Sequence, residues 1–204
     1  MVGGGLTVEK AEQRRVLAIV LGLNLFLAGA LAISGVIADS SALIANALDN
    51  LSDSAVYTIS FYAVGRSVRA KMVAARVSGI VLLAFAALVL TDVGRRLIMG
   101  AEPIGPTMIA MALVAAIINL ISLRLLKPLK GRDVNLRAAE TFSLNDFAAN
   151  AGIVVAGALV AWTGRPWPDL IVGSLVAAIT VKGGLDILND AKESEKDEEE
   201  DRLR

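Results

Sequence analysis

Three aspartates stand inside stretches of sequence that are otherwise apolar enough to cross a membrane. Asp49 and Asp53 are four residues apart, so on an α-helix their side chains share one face, one turn from each other. Asp146 lies in a second such stretch. An ionisable group is costly in hydrocarbon, and two neighbouring carboxylates also repel each other. A divalent cation would offset both costs, so the pattern predicts a cation site.

Depth estimates bring the three carboxylates together. A rise of 1.5 Å per residue puts Asp49 and Asp53 roughly 12 and 18 Å from Ser41, at the predicted outer end of their helix. Asp146 is roughly 14 Å from Arg137, at the inner end of a helix that runs the other way. All three therefore fall near the middle of the bilayer, where ion-coupled carriers bind their ions.

Two asparagines extend the same helix faces, and each offers an amide oxygen one turn from an aspartate. The predicted metal ligands are Asp49, Asp53, Asp146, Asn46 and Asn150. Ligands that are all oxygens suit Mn²⁺, Mg²⁺, Fe²⁺ or Co²⁺ better than soft metals. The alternative is that these polar groups only bond to one another between helices, as in many membrane bundles. Three acids at one depth, with no basic residue there to pair them, favour the cation site.

Six apolar runs must position these side chains. Hydrophobic residues make up 55% of the 204 residues, and the mean hydropathy is +0.65 although 20% of the residues are charged. Each run is close to the ~20 residues that a helix needs to cross a bilayer. The sequence predicts an all-α membrane protein, a six-transmembrane-helix bundle over residues 16–189. A cytoplasmic segment, 1–15, precedes the bundle, and an acidic cytoplasmic tail without regular structure, 190–204, follows it. The runs cover residues 16–38, 42–64, 73–92, 107–126, 141–163 and 170–188.

The distribution of basic residues predicts the orientation. Most of them lie between the second and third runs and between the fourth and fifth, so these two loops and both termini are expected in the cytoplasm. The expected location is the inner membrane of a bacterium. The 20 basic and 20 acidic residues balance, and nothing points to nucleic acid. The expected partners are the lipid bilayer, a divalent metal ion and protons.

Polar residues at the predicted helix ends suggest local contacts. Asp39 to Ser41 is expected to cap the second helix, and Asp169 the sixth. Asp92 stands three and four residues before Arg95 and Arg96, and this spacing predicts an interfacial salt bridge.

The chain contains no histidine and no cysteine. This composition excludes disulfides, cysteine–histidine zinc sites and histidine-based catalysis. No nucleophile–base pair, phosphate-binding loop or cofactor motif is visible either. The protein is therefore not expected to be an enzyme, and no permanently bound cofactor is expected.

Several segments resemble the cation diffusion facilitator family. Residues 41–53 are similar to the family's second transmembrane helix, in which two metal ligands, His or Asp, are four residues apart. Residues 92–103 resemble the end of its third helix, residues 146–154 its fifth and residues 169–175 its sixth. The order of these segments along the chain also agrees.

The resemblance implies a homodimer that exports divalent cations from the cytoplasm in antiport with protons, by alternating access. Carried over, the ligands are Asp49, Asp53 and Asp146. Phe142 stands at the family's fourth ligand position and cannot coordinate a metal, so Asn150 is the expected substitute. The resemblance adds Zn²⁺ to the candidate metals Mn²⁺, Fe²⁺, Co²⁺ and Mg²⁺, and the metal is left open among these five. Many members also have a cytoplasmic α/β domain; none is expected here, so dimerisation is expected to rely on the membrane part. The alternative is a non-transporting regulatory or scaffold relative with a degenerate metal site.

Overall fold

The computed structural model describes the backbone of residues 3–63, 68–127 and 134–203, and the side chains of residues 15–55, 58, 72–127 and 145–192. This part of the chain is helical and contains no strand. The predicted all-α class and the number of helices are confirmed. The helices are α1 (Gly3–Ile37), α2 (Ser41–Ala63), α3 (Val68–Met99), α4 (Gly105–Leu126), α5 (Val134–Thr163) and α6 (Trp167–Leu203).

Five of the helices contain a segment that is long and apolar enough to cross a membrane. In an 18-residue apolar stretch of each segment, only 28% to 33% of the residues are buried inside the protein, so most of the apolar surface is available to lipid. Within the described residues α2 does not contain such a segment, so the sixth span stays a prediction. The segments are Arg15–Ile37, Met72–Met99, Gly105–Leu126, Asn145–Thr163 and Trp167–Lys192.

The helices extend beyond the apolar runs at both ends of the chain. Helix α1 begins at Gly3, inside the polar segment 1–15, and α6 continues to Leu203, through the acidic segment 190–203 that was expected to lack regular structure. Glutamate and lysine are strong helix formers, and a helix that is already nucleated extends at little cost. Hydrophobic periodicity predicts where a helix packs, but not where it ends.

Helix α2 is the centre of the bundle. It packs against all five other helices, while α3 pairs mainly with α6 and α4 with α5. One core cluster joins α1, α2, α4 and α5 and includes Leu27, Leu43, Met108 and Ile153. A second cluster joins α2, α3 and α6 around Val89. Side chains on different faces of α2 therefore belong to both core clusters.

Helices α4 and α5 approach closely where two glycines meet. A Cβ on Gly157 would lie 2.9 Å from the carbonyl oxygen of Gly105 and 3.0 Å from Cβ of Met108. Such a short separation leaves no room for a side chain. This contact fixes the level of α5, and thus of Asp146, relative to the N-terminal end of α4.

Candidate metal centre

Helices α2 and α5 bring the predicted site residues to a common place in the bundle. The carboxyl groups of Asp49 and Asp146 lie within hydrogen-bonding range of each other. Asp53, one turn further along α2, is close enough to interact electrostatically with both. The two helices thus bring Asp49 and Asp146 together, as the depth estimate predicted for this pair.

Asp146 has an unusual environment. Its side chain is 1% exposed, and no hydrogen bond reaches either carboxylate oxygen within the described part of the chain. The nearby carboxyl group of Asp49 accepts a bond from the Thr180 hydroxyl, whose oxygen is 3.4 Å from Oδ1. Two unit charges 4 Å apart repel by about 4 kcal/mol at an effective dielectric constant of 20. A shared proton or a bound cation between the two acids would remove this repulsion.

Asn46 and Asn150 join the two helices through their side chains. The Asn46 amide donates to Oδ1 of Asn150 at 2.8 Å, and the Asn150 amide donates to the main-chain oxygen of Asp146 at 2.8 Å. Asn50 donates to Oδ1 and to the main-chain oxygen of Asn46 at 3.3 and 2.9 Å. The two predicted amide ligands thus bond to each other, as the structural alternative proposed, and hold Asp146 against α2.

The carboxylates are not arranged as a finished metal site. Among the described side chains, no three acidic, histidine or cysteine residues are close enough together to hold one ion. Asp49 and Asp146 form a close pair, and Asp53 stands apart from it. Phe142 belongs to α5, but its side chain lies outside the described part. The metal-ligand role of the five residues stays a prediction.

Thr180 is a site residue that the sequence did not indicate. It lies in the apolar segment of α6, and its hydroxyl also donates to the main-chain oxygen of Val176 at 3.0 Å, as is common for threonine in membrane helices. A single threonine in such a segment is not by itself unusual. Only its contact with Asp49 shows that α6 contributes to the site.

A second polar cluster stabilises the N-terminal end of α2. Ser40 caps the helix, because its hydroxyl oxygen accepts from the main-chain N–H of Leu43 at 3.1 Å. Asp169 was expected to cap its own helix, α6, but its carboxylate instead accepts from the N–H groups of Ser41 and Ala42 at 2.7 and 3.1 Å, and from the Ser40 hydroxyl at 2.5 Å. A carboxylate at a helix N-terminus is favourable whichever helix supplies it.

Arg96 connects α3 to the start of α2. Its guanidinium group, 4% exposed, donates to Asp92 at 2.6 Å and forms an ion pair with Asp39. Asp92 also accepts from Arg95 at 2.9 Å and from the Ser41 hydroxyl at 2.9 Å. The predicted salt bridge at the end of α3 is confirmed. It belongs to a larger network that connects α2, α3 and α6, and Asp39 adopts a positive φ of 50° within it.

Comparisons with known proteins find a matching family model and curated relatives. The model of the cation efflux transmembrane domain matches residues 17–194. Two curated relatives, each a protein named Zinc transporter ZitB, come from Escherichia coli K12 and Shigella flexneri. Each is 26% identical over 172 residues, which are 78% of this chain and 55% of the relative. The chain thus spans about half the length of these curated relatives.

Proposed function

Because the chain belongs to the cation efflux family, a family of membrane transporters and not of enzymes, we propose that it carries divalent metal cations across a membrane through Asp49, Asp53 and Asp146. The observation that carries this proposal is the pair formed by Asp49 and Asp146. Two adjacent acids, one of them buried with no hydrogen-bond donor, form an environment that a divalent cation stabilises. Asp53 completes the site when its side chain moves toward the pair.

The same pair supports coupling to protons. A cation and a proton compete for the same carboxylate oxygens, so protonation of the site lowers its affinity for the cation. When the site faces the cytoplasm, the deprotonated acids bind the cation. When it faces the other side, protonation of a carboxylate lowers the affinity and releases it. The protein is therefore an antiporter that exports metal by alternating access.

The ligand types favour a hard or borderline divalent cation. The relatives are named zinc transporters, but the proposed ligands of this chain are carboxylate and amide oxygens, and the chain has no histidine. Such a set suits Mn²⁺, Fe²⁺, Co²⁺ or Mg²⁺ as well as Zn²⁺. Asn46 and Asn150 contribute by holding Asp146 against α2, and either amide oxygen can turn to the ion when their mutual bond opens.

Orientation and assembly complete the proposal. The basic loops and both termini lie in the cytoplasm, and α2 crosses the bilayer as the sixth span. The location is the bacterial inner membrane, where the proton gradient favours inward proton movement and hence outward metal movement. Two copies associate through the membrane part.

The test is transport in proteoliposomes that contain a pH-sensitive dye. Each of the five metals is added outside, and metal flux and internal pH are followed together. Asp49→Asn and Asp146→Asn are compared with Asp186→Asn, a matched control whose carboxylate is exposed on α6 away from the site. We expect the wild type and the control to move at least one metal with opposite proton movement, and both site variants to lose nearly all flux.

Two results would contradict the proposal. Full flux in both site variants would show that the acids are not the cation site. Metal binding without flux in the wild type, seen as thermal stabilisation of the folded protein, would instead favour the non-transporting relative.

A further inference from the structure

Four buried polar side chains outside the aspartate site carry atoms without a hydrogen-bond partner in the described part of the chain. The atoms are Oδ1 of Asn24, Oδ1 of Asn50, both amide atoms of Asn119 and the hydroxyl oxygen of Ser122. None of the four residues is more than 2% exposed. A buried group left without a partner costs about 1 to 3 kcal/mol, so five such atoms in one bundle require a ligand.

The helix levels place Asn24 and Asn119 opposite each other. The main-chain N–H of Ile104 donates to the oxygen of Ala38 at 2.9 Å, so the end of α1 and the start of α4 lie at one level. Asn24 precedes Ala38 by 14 residues, and Asn119 follows Ile104 by 15. At 1.5 Å per residue both lie about 21 to 23 Å from that level, on helices that pack against each other.

The same faces of the helices also carry the apolar core. Asn24 follows Leu27 and Leu31 along its face of α1 toward the inner end, and Asn119 follows Ala115 on α4. Leu27, Leu31 and Ala115 belong to one core cluster. The asparagines therefore point into the interior between α1 and α4, and not toward lipid.

Ser122 lies three residues beyond Asn119 and extends the same face of α4. Asn50 lies elsewhere, because it is nine residues beyond Ser41 and thus only about 14 Å from the start of α2. Its amide nitrogen donates to Asn46, which in turn bonds Asn150 beside Asp146. The unpartnered oxygen of Asn50 is therefore not grouped with the other four atoms.

Apolar side chains close this polar region on both sides. Leu27 and Ala115 lie toward the outer end, and Leu17, Val20 and Leu126 lie toward the inner end, all of them buried. The unpartnered atoms include oxygens that accept and an amide nitrogen that donates. A metal ion would be satisfied by the oxygens alone, whereas water both donates and accepts.

We propose that Asn24, Asn119 and Ser122 line a pocket that binds a small cluster of water molecules between α1 and α4. Buried water makes about three hydrogen bonds per molecule, so the four unpartnered atoms of these residues suit about one or two waters. The water cluster does not depend on the proposed transport function.

The test is radiolytic hydroxyl-radical labelling of the full chain in lipid nanodiscs without added metal, read by mass spectrometry. Bound water produces radicals where it sits, so buried side chains next to it are labelled. Leu27 and Leu126 flank the pocket, while Leu31 and Leu43 are internal controls; the four are 0%, 2%, 0% and 0% exposed. We expect several-fold faster labelling of the flanking pair than of the control pair.

Variants test whether the named side chains hold the water. Asn24→Leu combined with Asn119→Leu should abolish the excess labelling at Leu27 and Leu126 while circular dichroism shows retained helix. Ser122→Ala, a milder change, should reduce it if the double variant does not fold. Equal labelling of all four leucines in the wild type would overturn the proposal, as would excess labelling that persists in a folded double variant. Neither result depends on metal transport.

Discussion

The contact between Asp169 and the start of α2 gives a prediction about stability. Asp169 is 0% exposed and accepts three hydrogen bonds from α2 and its cap, at 2.5, 2.7 and 3.1 Å. Asp169→Asn keeps the shape of the side chain but replaces one acceptor oxygen by an amide NH₂ group, which would face a hydrogen-bond donor of α2. One charge-assisted bond is lost at roughly 2 kcal/mol and two are weakened by roughly 1 kcal/mol each. Relief from burying a charge offsets part of this loss, so the free energy of unfolding should fall by about 2 to 4 kcal/mol.

The assay is reversible unfolding in mixed micelles, followed by the fluorescence of Trp162 and Trp167. Asp186→Asn serves as the control, because it makes the same chemical change at an exposed position of the same helix and should alter stability by less than about 0.5 kcal/mol. A double-mutant cycle with Ser40→Ala isolates the shortest bond and should show coupling of about 1 kcal/mol. Equal stability of the Asp169 and Asp186 variants would refute the capping role.

Three further predictions rest on single contacts. Gly157→Ala should destabilise the protein by about 1 to 3 kcal/mol in the same unfolding assay, because the new Cβ overpacks against α4. Gly152→Ala is the control and should be neutral or stabilising, because the nearest atom to its new Cβ is 4.0 Å away. Similar losses of stability in both variants would contradict the close contact. Arg96→Met removes the buried guanidinium that bonds Asp92 and pairs with Asp39, and should lower the unfolding temperature in a thermal melt, while Arg95→Met, at an exposed position, should not. Acidification should weaken metal binding to the wild type, measured by calorimetry, because protons compete for the oxygens of Asp146; affinity independent of pH would argue against proton coupling.

The helices and the approach of Asp49 to Asp146 could be predicted from sequence because both follow from local periodicity. An α-helix has a known rise per residue, so counting residues from each end placed Asp49 and Asp146 at similar depth. The same counting gives no side-chain distances. It therefore could not show that Asp53 stands apart from the close pair, or that Asn46 and Asn150 bond to each other.

The contacts that the sequence did not predict join residues far apart along the chain. Asp169 is 128 residues from Ser41, and nothing around either residue indicates that the carboxylate serves a different helix. Capping rules describe the preferences of a helix end, but they do not say which element supplies the cap. The contact between Thr180 and Asp49 is missed for the same reason, since only the packing of α6 on α2 brings them together.

The two polar networks on α2 constrain how the proposed carrier can move. At the start of α2, Asp169 and Asp92 bond its first residues to α6 and α3, while nearer the middle Asn46 bonds α2 to α5 through a single amide contact. Separating α2 from α3 and α6 breaks several charge-assisted hydrogen bonds, whereas separating α2 from α5 breaks one neutral hydrogen bond. The lower-energy route to alternating access is therefore for α2, α3 and α6 to move together against α5. Such a motion changes the distance between Asp49 and Asp146, so it would open and close the site at the pair where the cation is proposed to bind.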